Sequence, residues 1–128
     1  MDDHEFITAF EACTLPPSEF HHRDHVRLAW IYLREDELLP ALTRFATSLR
    51  RYATSLGAAS KYHETITWAF LFLIHERMQR TPCEDFATFA SLNEDLLAWH
   101  PSVLERYYTP ALLGSELART TFVMPDAR

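Results

Sequence analysis

The chain of 128 residues carries a net charge of −6 with its histidines neutral, is 48% hydrophobic and 23% charged, and holds only two glycines, Gly57 and Gly114. That length bounds it to one domain, 1–128, able to bury a core without covalent staples. The acidic balance argues against a nucleic-acid partner, which needs a basic face, and the shortage of glycine argues against turn-rich β structure.

The first predicted element is a helix over residues 3–14, where Phe6, Ile7 and Phe10 share one face and Pro16-Pro17 ends the run. Residues 18–21 are a connector. A second helix follows over 22–34, with Val26, Ala29, Trp30 and Leu33 as its apolar stripe. After the acidic cluster Glu35-Asp36-Glu37, Pro40 suits the first position of a third helix over 40–56. Leu42, Phe45, Leu49, Tyr52 and Leu56 repeat there at steps of three and four, and Gly57 stands where a terminating glycine belongs.

The fourth helix is expected to start near Lys61, capped by Ser60, and to run to about Arg80. It is apolar nearly all round from Trp68 to Ile74, which predicts the most buried helix of the chain. Shorter helices are expected over 83–92, 94–99 (with Asn93 as cap), 101–107 and 110–121, and Met124-Pro125-Asp126 is expected to trail out. These elements predict an all-α protein, an up-and-down helical bundle with shorter helices packed on it.

Cys13 and Cys83 form no paired motif and are expected as small buried hydrophobes. The first fifteen residues lack the apolar stretch of a signal peptide, and the run Trp68–Ile74 is too short to cross a bilayer. A cytoplasmic protein with no membrane partner is the expectation.

Two stretches carry the chemistry: Phe20-His21-His22-Arg23-Asp24-His25 and Lys61-Tyr62-His63-Glu64-Thr65. His22 and His25 lie one turn apart on the face that continues through Ala29 and Leu33, so both imidazoles are expected to point inward. His63 is expected to do the same on the face of Thr67, Phe70 and Ile74, whereas His21 falls off the line. Short connections make neighbouring helices antiparallel, which brings the starts of the second and fourth helices to one end of the bundle. Three inward histidines there predict a site for a divalent metal ion (zinc, iron or nickel) with a position left open, as a catalytic site needs.

In that expectation His22, His25 and His63 bind the metal, and Glu64 or Asp24 orients a ligand or moves a proton for a hydrolase-like reaction. The alternative is a non-enzymatic module in which His22, His25, His63, Arg23 and Lys61 hold a small anion at the helix N-termini. A third reading makes the histidines structural and Trp30, Trp68 and Trp99 core or interface anchors. Tyr62 and Tyr108 are candidate donors to a bound oxygen. His4 sits near the start of the chain, His100 precedes Pro101 in a loop, and His75 lies about 18 Å along the helix from His63, too far to join it.

The phrases around His22 and His63, with the ending Phe122-Val123-Met124-Pro125-Asp126, resemble a family of small bacterial helical proteins of uncharacterised function. Its patterns, FxHxDH and YHET, fall on Phe20, His22, Asp24, His25 and on Tyr62, His63, Glu64, Thr65. That resemblance implies that the motifs belong together and implies no reaction. The arrangement is also similar to helical bundles of the DinB/YfiT type, which implies three histidines on a metal.

Overall fold

Eight α-helices and three short 3-10 turns carry residues 1–127, the residues described by the computed structural model, and no strand occurs among them. The fold is all-α, as the periodicity requires. The chain divides into two compact units, Met1–Tyr62 and a second that begins at His63.

The first unit is built from α1 (Asp3–Glu11), α2 (His22–Glu35) and α3 (Leu38–Ser55). Asp2 starts α1 with a capping box: its carboxylate accepts the Glu5 N–H at 2.8 Å, and Glu5 reaches back to the Asp2 N–H. The helix stops three residues earlier than expected. Cys13 turns the chain in the left-handed region, φ 59°, and Leu15 beyond it is buried. α3 begins at Leu38 rather than at Pro40, with Glu37 as N-cap. Pro40 is tolerated at the third helical position because the first turn has unpaired N–H groups in any case. At the other end Gly57 takes φ +69°, the left-handed conformation for which a glycine was expected there.

α3 packs against both α1 and α2. Phe6 and Phe10 of α1, Leu28 and Trp30 of α2, and Phe45 and Tyr52 of α3 are all buried. Full burial of side chains this size contributes roughly 1.5–3 kcal/mol each, the main force holding such a unit together. A ring cluster closes one end: Phe10, Phe20 and Tyr52 lie with centroids 5.0–5.2 Å apart, and the Tyr52 hydroxyl donates to the Leu15 carbonyl at 2.7 Å. Arg44 fastens the three helices by their polar edges. Its guanidinium lies over the Tyr32 ring at 4.5 Å and bonds Glu11, Glu35 and Asp36.

The second unit contains α4 (Glu64–Arg80), α5 (Phe86–Leu92), α6 (Glu94–Leu97), α7 (Pro110–Leu113) and α8 (Glu116–Thr120). α4 starts three residues after Lys61, because residues 59–61 form a separate 3-10 turn and His63, not Ser60, is the N-cap. α5 and the 3-10 turn Val103–Arg106 begin where Asp85 and Ser102 accept backbone N–H groups. The single helix expected over 110–121 is two, since Ser115 caps a fresh start by accepting the Ala118 N–H at 3.1 Å. Asn93 does not cap α6 with its side chain. It is buried instead, donating to the Phe89 carbonyl and accepting from Arg77, which also grips Asp95 through two bonds.

Two further expectations fail for one reason. α4 is not apolar-buried all round, since Trp68, Phe72 and Leu73 keep part of their surface open. Nor do residues 124–126 trail out. The segment 121–127 has no regular structure but is bonded near both ends, forming a strap over that same part of α4. A partly enclosed cavity of about 320 Å³ remains between them.

Candidate functional site

The first histidine stretch opens α2. His21 is the N-cap residue, exposed, and its N–H donates to the Asp24 carboxylate at 2.9 Å. Asp24, expected as a catalytic or orienting carboxylate, thus satisfies a backbone donor at the helix start. His22 and His25 follow on the first turn of α2 and are both partly buried. The His25 ring stacks on Phe20 with centroids 4.1 Å apart, extending the Phe10–Tyr52 cluster. Loss of water around it pushes the His25 imidazole down from 6.5 to about 4, and the charge of His22 adds to the fall. His22 and His25 are therefore close enough to feel each other, and His25 is neutral at physiological pH.

His63 differs from expectation. It is the N-cap of α4, not a residue of its first turn facing the core. Nδ1 accepts the Ile66 N–H at 3.1 Å, and Nε2 lies 2.8 Å from the Leu113 carbonyl. A carbonyl only accepts, so Nε2 carries the hydrogen and Nδ1 the lone pair, which the helix already uses. So placed, the ring has both nitrogens engaged and leaves neither turned to a metal. Glu64, next in sequence, accepts the Trp68 indole N–H at 2.9 Å. Its expected catalytic role has to compete with that bond.

Thr65 completes the motif. It is fully buried, donates to the Thr121 carbonyl at 2.9 Å and accepts the Val123 N–H at 3.1 Å. The two sequence phrases YHET and FVMPD are thereby joined in space: the first holds the strap that contains the second. Tyr108, expected as a donor to ligand oxygen, donates to the Val123 carbonyl at 2.8 Å instead, and burial pushes its phenol up. Thr109 binds both Asp126 carboxylate oxygens at 2.8 Å, with its N–H and its hydroxyl. The Ala127 N–H donates to the Tyr107 carbonyl at 2.9 Å.

Among the described residues no three His, Cys, Asp or Glu side chains stand together in a way that could hold a metal ion. The expected set His22, His25 and His63 is not such a group, and His63 has spent both ring nitrogens. Arg23 and Lys61, expected to serve an anion, are exposed, Lys61 in the turn that packs on α3. The Tyr62 ring lies under the Arg50 guanidinium at 5.1 Å. His4 and His100 are exposed, His75 is partly buried, and Cys13 and Cys83 are free thiols, each partly rather than fully buried.

Sequence reasoning missed the cavity of the second unit. Ala69, Phe72 and Leu73 of α4 line one side, Leu104, Tyr107 and Tyr108 another, and Phe122, Met124 and Pro125 of the strap the third. The surface it presents is apolar throughout. Phe122 stacks on Trp68 at 5.4 Å and meets Phe72 edge-on at 5.9 Å, which sets the wall. The signal was present in the apolar residues of Phe122-Val123-Met124-Pro125, too many for a solvated tail. No family model, no curated protein and no solved structure matches the chain.

Proposed function

We propose that the protein is a binding module for one small, uncharged, largely apolar molecule, held in the cavity of the second unit. The observation that carries this is the wholly apolar lining of a partly enclosed space of about 320 Å³, the lower end of the range that small-molecule sites occupy, roughly 300–1,000 Å³. A charged ligand would lose its hydration there with nothing to replace it. Flat aromatic molecules fit best, since Phe72, Tyr107 and Phe122 offer ring faces and edges. The alternative drawn from sequence is a different one, a small anion held by His22, His25, His63, Arg23 and Lys61, none of which lines this cavity.

Titration with the uncharged dye N-phenyl-1-naphthylamine tests it. A saturable rise in dye fluorescence at one dye per chain is expected, lost in Leu73→Trp, which fills the space while the helical circular dichroism is kept. A non-saturating rise, or one unchanged in Leu73→Trp, overturns the reading.

A second reading keeps a divalent metal ion on α2. It is favoured by the His22–His25 pair, whose members couple electrically, with His25 in the neutral form that ligates. A hydrolase-like reaction would need ligands beyond this pair, and His63, expected as the third, has both ring nitrogens engaged by Ile66 and Leu113. Elemental analysis of protein purified without chelator decides. About one equivalent of zinc, iron or nickel, lost in His22→Ala, supports it; no metal after incubation with each ion and desalting rules it out.

A further inference from the structure

The cavity has two kinds of wall. Ala69, Phe72 and Leu73 belong to a helix of 17 residues, fixed by its own backbone bonds. Phe122, Met124 and Pro125 belong to the strap, which has no regular structure and is held only from outside. Its fastenings are unequal. Near Thr121 and Val123 it is pinned by the buried hydroxyls of Thr65 and Tyr108. Near Asp126 it is held by the Thr109–Asp126 pair and by the Ala127 amide, where Met124, Pro125 and Asp126 are all exposed. Water competes for hydrogen bonds at an exposed site and not at a buried one, so the strap is weakest at the Asp126 end.

We propose that the strap is the gate of the cavity: it opens from its Asp126 end, the Thr109–Asp126 pair is the latch, and ligand enters and leaves while the latch is open. This rests on the reading of the cavity as a ligand site. Met124 and Pro125, which line the cavity on one side and face water on the other, sit two positions and one position before Asp126, so release of that carboxylate frees the outer wall while Phe122, stacked on Trp68, stays seated. A gate scales entry and exit together, because both require the open state. A wall that merely contacts the ligand would change exit alone.

Stopped-flow mixing of Asp126→Ala with N-phenyl-1-naphthylamine separates the two. Asp126 does not line the cavity. Loss of the latch is expected to speed association and dissociation alike, each about fivefold, the worth of one modest hydrogen bond, with Kd nearly unchanged. Amide exchange without ligand gives a second readout. The Ala127 amide should exchange faster in Asp126→Ala, with Val123 and the amides of α4 unaltered. An unchanged association rate, or faster exchange through α4 as well, overturns the gate while leaving the site standing. Absence of saturable binding by the unaltered protein removes the site and the gate with it.

Discussion

Lowering the pH from 6.5 towards 4 is expected to cost the protein up to about 3 kcal/mol through His25 alone. Its imidazole titrates near 4 when folded and near 6.5 when unfolded. Between those values the unfolded chain holds a proton that the folded protein does not, so acid favours unfolding. Above pH 6.5 both states are neutral and the group is silent. Two and a half pH units at 1.36 kcal/mol each set the ceiling, and partial exposure of the residue brings the true value below it.

The measurement is urea unfolding at several pH values with chelator present, for the protein and for His25→Phe, which keeps a ring against Phe20. The variant should lose most of the slope between pH 6.5 and 4. Asp95, held down to about 2 by Arg77, begins to lose its own contribution as the pH falls towards the unfolded value of 3.8, but that loss is common to both proteins and cancels in the difference between them. Equal slopes in the two proteins would mean that His25 is solvated and that its stacking on Phe20 does not desolvate it.

Thr65→Val is expected to destabilise the protein by about 2–3 kcal/mol, although it keeps the shape of a fully buried side chain. The exchange of hydroxyl for methyl leaves the Thr121 carbonyl and the Val123 N–H without their partner. An apolar substitution that removes one member of a buried pair leaves the others desolvated, which costs more than the bond itself was worth. Thr65→Ser should recover most of the loss, since it restores the hydroxyl and gives up only a methyl group. Chemical denaturation of the three proteins checks this. The same variant bears on the cavity, because Thr65 seats the strap that carries Phe122 and Met124. Dye affinity should fall with Thr65→Val and return with Thr65→Ser. Equal stability of Thr65→Val and the parent would show that water already serves the strap at this point.

The second effect shows how much a histidine phrase leaves open. His63, Glu64 and Thr65 are polar residues at the start of an apolar helix, a pattern that fits a metal site, an anion site or a cap. The choice among them depends on Leu113 and Thr121, respectively 50 and 56 residues further along. Nothing in the local spacing names those partners. The same holds for Tyr108, whose hydroxyl finds Val123 rather than a ligand.

What the sequence by itself determined is what neighbouring residues decide. The helices of the first unit follow from apolar steps of three and four, the stop after α3 from Gly57, and the turn near residue 102 from a serine able to accept an N–H. The all-α class, and the absence among the described residues of any helix long and apolar enough to cross a membrane, follow from the same local facts. Tertiary structure alone decided the rest: that His63 reaches the Leu113 carbonyl, that Thr65 reaches Thr121 and Val123, and that residues 121–127 are a bound strap over a cavity. A side chain's periodicity fixes which face it takes, but a hydrogen bond reaches a single atom, and which atom arrives there depends on how the whole chain returns.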